Sequence, residues 1–278
     1  AQRSDLAKGI MDDPYALYFA KGHMLPAFLF NTIILGRGTE EKWTKGMLAV
    51  GFMLPLCRHR YFNDTLLKSV SEGYTQIVLL GAGYDTSPLR FSGKLKYCNI
   101  FEVDFPATQK RKLKIFSAKR IIIPDNITFI SYDLNSNDLM QILGENKFDV
   151  KRPTLFIAEG LFPYLYLGSI SQLLHKINRY QSIVRFVMDY RFKTFLQNRT
   201  GKIIKRWRNK FKNQGENYIT FFTMEEAENL FENNGFRVYS NINAADIWRK
   251  YTKRIPVPND LLNISAIIAG EKKKGVYE

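Results

Sequence analysis

The chain is poor in cysteine: Cys57 and Cys98 are its two thiols in 278 residues, and no CxxC pair occurs. Two such thiols make no disulfide framework, so a reducing cytoplasmic setting is expected. Histidine is scarce too. His23, His59 and His175 are scattered, and with the cysteines and acids they converge on no metal-ligand spacing. Long hydrophobic runs are missing. Met24–Leu35 and Met47–Leu56 are too short to span a bilayer, and each is broken by Pro, Gly or Asn. No signal peptide is read at the start, which begins with Ala rather than Met. Acid is absent from two segments. Residues 105–124 hold six basic side chains and no acid, and residues 190–215 hold nine and no acid. These fifteen equal the whole formal charge of +15, so the rest of the chain is neutral. That pattern argues against a uniformly cationic nucleic-acid coat.

What is present is ordinary globular composition, 45% hydrophobic and 24% charged. No linker divides the chain, so residues 1–278 are expected to form one domain. From about residue 75, short apolar runs alternate with helical patterns. Gln76–Leu80, Tyr97–Val103, Ile127–Ser131, Thr154–Ala158 and Ile183–Asp189 read as strands. Pro106–Lys119, Ser136–Glu145 and Gly168–Tyr180 read as helices between them. Strand, helix, strand at this spacing predicts an α/β fold, a parallel sheet with helices on both faces. Thr223 followed by Glu226 predicts a capped helix to Asn233, ended by Gly235. Phe236–Ser240 and Leu262–Ala269 read as two closing strands. Residues 1–70 read as a helical flank, 75–190 as the ligand-binding core, 191–235 as a basic helical lid and 236–278 as the closing strands.

The strongest local signal lies in Ile77–Ser87, where a strand runs straight into Gly81-Ala82-Gly83. Glycine there lets the backbone turn sharply and lets a ligand lie against bare peptide, although a plain turn also gives this pattern. Glu102 closes the second strand 21 residues after Gly81. An acid at that distance accepts hydrogen bonds from both hydroxyls of a ribose. Thr86 stands where the dinucleotide fingerprint has its third glycine. A pyrophosphate then has no seat, which favours S-adenosyl-L-methionine over NAD. Asp133, after the third strand, is placed either to accept from an adenine amino group or to cap the next helix. Glu159-Gly160 after the fourth strand points a carboxylate into the same crevice, or else marks a surface turn.

Five segments occur in order over roughly residues 3–190: Asp13-Pro-Tyr-Ala16, Arg58-His-Arg-Tyr-Phe-Asn-Asp64, Leu80-Gly-Ala-Gly-Tyr-Asp-Thr86, Phe101-Glu-Val-Asp-Phe-Pro106 with Lys110, and Ala158-Glu-Gly-Leu161 with Tyr164. In this combination the chain resembles the leucine carboxyl methyltransferase family of class I S-adenosylmethionine-dependent enzymes. It is similar to the bacterial branch that includes polyketide carboxyl O-methyltransferases of the tetracenomycin type. The resemblance implies a doubly wound, Rossmann-like, mostly parallel seven-stranded sheet. It implies that Gly81, Ala82, Gly83 and Asp85 form the cofactor loop and that Glu102 holds the ribose. Asp133 and Leu134 would flank the adenine, and Glu159 would lie near the cofactor's amino group or sulfonium. Arg58, or Arg60 in its stead, would pair with the cofactor carboxylate, and Arg3 would add a basic contact. Ser87 stands where family members usually carry Arg; Arg90 follows three residues on and keeps a basic group nearby.

Methyl transfer from a sulfonium is an in-line displacement, in which the protein mainly aligns the partners. A carboxylate acceptor needs no base, whereas a hydroxyl does. Glu159 and Tyr164 are the catalytic candidates, and His59 is the one histidine to weigh, against a structural role. The missing base favours carboxyl methylation of an anionic small molecule. The basic, amphipathic stretch from Phe192 to Phe211 reads as a lid over the acceptor or as a solvated helix. The Lys110–Lys119 helix reads as an outer-face helix. The rival expectations are a protein C-terminal carboxyl methyltransferase, a tRNA- or nucleic-acid-modifying enzyme of the same fold, and a membrane-surface binder.

Overall fold

The computed structural model describes residues 10–19, 53–136, 139–180, 182–195, 218–252, 257 and 264–272. Gln76-Ile-Val-Leu-Leu80 shows no polar alternation because both its faces are covered, and all five residues are buried. It is β1 (Gln76–Leu80), followed by β2 (Asn99–Asp104), β3 (Ile127–Ser131), β4 (Thr154–Ala158), β5 (Val184–Arg191), β6 (Phe236–Asn243) and β7 (Ser265–Lys272). They form one seven-stranded sheet in the order β3-β2-β1-β4-β5-β7-β6. β1 to β5 pair in parallel and β7 runs antiparallel between β5 and β6. The chain thus winds outward from β1 to β3, then crosses back to β4. The switch point lies between the carboxyl ends of β1 and β4, where such sheets bind ligands.

Besides three single-turn helices (Ala16–Phe19, Ser87–Arg90 and Ser92–Leu95), the described helices are α1 (Leu54–Ser71), α2 (Pro106–Ala118), α3 (Leu139–Glu145), α4 (Leu167–Asn178), α5 (Met224–Asn233) and α6 (Ala244–Thr252). Two apolar clusters, one on each side of the sheet, make the core. Leu79, Ile157 and Val187 face one with α1, while Leu80, Phe156 and Phe186 face the other. α1 buries Leu54, Cys57, Phe62 and Leu66. Each such side chain contributes about 1.5–3 kcal/mol before entropy is counted. The Arg185 guanidinium, near the start of β5, donates to Ser69 Oγ at the end of α1 at 2.8 Å. Arg58 in the first turn of α1 donates to Asp189, near the end of β5, at 3.0 Å. α1 therefore runs antiparallel to β5 and delivers its first turn to the crevice.

β1, β3 and β4 match their sequence expectations residue for residue. β2 ends on Asp104 rather than Val103, and β5 runs on to Arg191. The Thr223–Glu226 capping box is present in full. α6 was not expected from the sequence. Asn243 starts it by accepting from the Asp246 backbone at 3.0 Å, and Ala244, Ala245, Ile247 and Trp248 are buried against the α1 side. Of the stretch read as a lid, Arg191 belongs to β5 and Lys193–Phe195 form a 3-10 turn. Its remaining basic residues, from Arg199 to Lys212, lie outside the described residues, as do Arg3 and most of the expected N-terminal flank. Among the described residues, no helix is long and apolar enough to cross a membrane.

Candidate active site

A cavity of about 310 Å³ opens at the switch point, at the small end of the range for ligand pockets, about 300–1,000 Å³. The ends of β1 and β4, the Gly81–Thr86 loop, Met11, Asp13, Arg58, His59 and Glu159 line it. Gly81 and Gly83 adopt φ of 63° and 50°, in the left-handed region. A Cβ on Gly81 would stand 3.0 Å from Leu161 Cδ1. Glycine is required at Gly81 by both conformation and space. The Gly81 N–H donates to the Val103 carbonyl at 2.8 Å, and the Gly83 N–H donates to Asp104 Oδ2 at 2.6 Å.

A charged network forms one wall. Arg58 donates from Nε to Glu159 at 3.0 Å and through a terminal nitrogen to Asp189 at 3.0 Å. His59 Nδ1 lies 2.7 Å from the second Glu159 oxygen. Its Nε2 meets an Arg90 terminal nitrogen at 2.8 Å and lies 3.8 Å from Asp85. Arg90 also donates to Thr86 Oγ1 at 3.0 Å, and Thr86 donates to Asp13 at 2.8 Å. Burial alone would raise the Glu159 carboxyl, but His59 and Arg58 overcome it and hold it at about 2. Burial likewise works against a charged His59. The adjoining Glu159 carboxylate, with Asp85 behind it, overrides burial and the opposing Arg90, and raises the imidazole to about 8. Arg58, His59 and Arg90 thus face the four carboxyl side chains of Asp13, Asp85, Glu159 and Asp189.

The structure brings Arg58, Gly81, Ala82, Gly83, Asp85 and Glu159 together at this cavity. Arg60 points elsewhere, to Asp64 and the Ile10 carbonyl. Neither Glu102 nor Asp104 is among the lining residues. Glu102 is 2% exposed and pairs with Lys112 Nζ at 2.5 Å. Burial lifts its carboxyl to about 7 against the pull of Lys112. Lys112 is 1% exposed, so α2 is not the plain outer-face helix its charge suggested. Asp104, two residues past Glu102, ends β2 beside the glycine loop instead. The rule of about 20 residues fits either acid, and packing sets them apart. Asp133 is exposed, and its carboxylate accepts from the Asn135 N–H at 3.0 Å, a local turn rather than the expected cap of the next helix, α3, which starts at Leu139. Asp133 and Leu134 follow the end of β3, and neither lines the cavity. Tyr164 ends the 3-10 turn Phe162–Tyr164, packs edge-on to Tyr218 at 5.1 Å and is not among the lining residues. Sequence reading missed Asp189, which is fully buried and accepts the Gly160 N–H at 2.5 Å as well as Arg58. A lone acid directly after the apolar run Phe186–Met188 was the available signal.

A glycine loop after the first strand, acids at successive strand ends and a switch-point cavity define an S-adenosylmethionine-dependent methyltransferase of the Rossmann-like class. Comparison with known proteins agrees. The family model of leucine carboxyl methyltransferase matches residues 1–178, and the chain belongs to that family. It is 27% identical over 261 residues to the protein named "Putative S-adenosyl-L-methionine-dependent methyltransferase YktD" of Bacillus subtilis (strain 168), covering 87% of this chain and 81% of that one. Other curated relatives match over about half of their length. Among solved structures, a duf574 family protein from Streptomyces avermitilis superposes with a TM-score of 0.60 at 13% identity, covering 78% of this chain and 83% of that one. A Thermobifida fusca protein named a putative methyltransferase gives 0.57 at 16% identity, covering 84% and 85%. These two likenesses show the fold.

Proposed function

We propose that the enzyme methylates a carboxylate on a small anionic acceptor. One observation carries this reading: each imidazole and carboxylate among the described cavity-lining residues is already engaged by a neighbour, Asp13 by Tyr15 and Thr86 and Asp85 by Ser87 included, so none is left over to take a hydroxyl proton. Both His59 nitrogens are engaged, Nδ1 by the Glu159 carboxylate and Nε2 by the Arg90 guanidinium. Glu159, held at about 2, is too weak a base to take a hydroxyl proton. A carboxylate arrives already ionised and needs none.

The residues present fit the cofactor. The Gly81–Gly83 loop offers bare backbone, and Asp104, at the end of β2, is the acid placed for the ribose hydroxyls. The cavity network sets four carboxyl side chains against Arg58, His59 and Arg90, which suits a ligand whose ammonium and sulfonium outnumber its carboxylate. When bound, S-adenosylmethionine supplies a methyl group already activated by positive sulfur. Glu159 and Asp85 then favour the cofactor's cations, and Arg58 is the guanidinium within reach of its carboxylate. Asp189 fixes Arg58 and the Gly160 N–H from the fully buried side, so the wall keeps its shape while the ligand enters. The test is transfer of labelled methyl to a metabolite extract, followed by mild alkali. Label released as methanol supports an ester. Label that survives shows an ether or amine and refutes carboxyl methylation.

A further inference from the structure

Arg191 ends β5, and its side chain is half-buried. Along β5, Arg185, Asp189 and Arg191 fall on the face that α1 covers, since alternate strand residues share a face. Arg191 thus stands one step beyond Asp189, toward the mouth of the crevice. The other cations described there have carboxylates: Arg58 has Glu159 and Asp189, Arg90 has Asp13, and Lys112 has Glu102. No carboxylate of the described residues pairs with Arg191. Its described side-chain contact is the ring of Tyr218, 5.9 Å from the guanidinium carbon.

Tyr218 is held firmly in place. The Ile219 N–H donates to the Pro163 carbonyl at 2.6 Å, Thr220 Oγ1 donates to the Leu165 carbonyl at 2.6 Å, and the Phe222 N–H donates to the Arg191 carbonyl at 3.0 Å. Residues 218–222 therefore bridge the ends of β4 and β5. The Tyr218 ring meets Tyr164 at 5.1 Å and Phe221 at 6.4 Å, edge to face. Its phenol lies within electrostatic reach of Arg58. An aromatic wall beside Arg191, whose guanidinium has no carboxylate partner among the described residues, thus stands on the β5 side of the crevice.

We propose that Arg191 and Tyr218 form the acceptor's anion subsite, with the guanidinium taking a carboxylate and the Tyr164–Tyr218–Phe221 rings taking a flat apolar body. This rests on the reading of the acceptor as a carboxylate. A half-buried cation that lacks a carboxylate partner among the described residues is well matched by an anion from outside. The chemistry then favours turnover. A carboxylate oxygen bonds to the methyl carbon, the carbon–sulfur bond breaks, and sulfur keeps the electron pair. No proton is released, and the acceptor's charge vanishes. Arg191 holds the anionic acceptor but not the neutral ester, so the product leaves.

The test uses the full chain saturated with S-adenosylhomocysteine, and two probes, 2-naphthoate and the uncharged 2-naphthamide, in equilibrium dialysis. Naphthoate should bind at least tenfold more tightly than the amide. Arg191→Gln should weaken naphthoate at least tenfold and bring the two probes level, and Arg191→Lys should restore part of the difference. Unchanged affinity for S-adenosylhomocysteine in both variants shows that they are folded. Failure of naphthoate to bind, equal binding of the two probes by the unmodified chain, or discrimination that survives Arg191→Gln overturns the proposal. Failure of the carboxyl-methylation reading shows separately, as label stable to alkali.

Discussion

Replacing His59 with glutamine should flatten the alkaline side of the protein's stability profile. The folded state raises the imidazole from 6.5 to about 8, chiefly through Glu159 acting against burial. The proton is bound more tightly when folded. Its contribution is complete below pH 6.5 and is lost as pH rises through 8. At 1.36 kcal/mol per pH unit, that displacement is worth about 2 kcal/mol. Glutamine keeps a donor for Glu159 but does not titrate. Urea unfolding at pH 6, 7, 8 and 9 should therefore show the unmodified chain losing about 2 kcal/mol more than His59→Gln across this range. Glu102, at about 7, and Cys57, raised from 9.0 to about 12 by burial, also make stability depend on pH within this window, but they do so alike in both proteins. The comparison thus isolates His59. Parallel profiles would refute the Glu159–His59 ion pair as the cause.

On the acid side, Glu159 is depressed from 4.5 to about 2. Its contribution, about 3 kcal/mol, is present above pH 4.5 and lost as pH falls toward 2, so Glu159→Gln should remove that stretch of acid sensitivity in urea melts. Gly81→Ala forces a side chain into the left-handed region and against Leu161. It should cost about 1–3 kcal/mol by thermal melting, and adding Leu161→Ala should recover the steric share alone. Lys112→Met strands a buried Glu102. It should destabilise by about 3–5 kcal/mol at pH 8 and by clearly less at pH 5, where the carboxyl can carry a proton; equal losses at both would contradict the pairing.

The sheet was legible because β1 and β4 are buried on both faces and therefore read as unbroken apolar runs. Gly81 and Gly83 were legible for a related reason, as backbone that must turn at a strand end. Glu102 and Asp104 could not be told apart by spacing. They lie on one face of one strand, and only packing sets them apart: Glu102 pairs with the buried Lys112, whereas Asp104 accepts from the Gly83 N–H of the glycine loop. Lys112 reads as one more charge in a basic run until packing shows it buried. Asp189 and His59 owe their place to α1 lying along β5, a contact that joins residues 131 positions apart and leaves no local pattern.

The central claim is that the cofactor sits in the β1–β4 cleft with Asp104 as the acid on its ribose. Calorimetric titration with S-adenosylhomocysteine tests it most directly, on the unmodified chain, Asp104→Ala and Glu102→Gln. The unmodified chain should bind one equivalent. Asp104→Ala should bind at least tenfold more weakly, a loss of about 1.4 kcal/mol or more, and Glu102→Gln should bind nearly as well as the unmodified chain. No binding by the unmodified chain, or full affinity in Asp104→Ala, would contradict it.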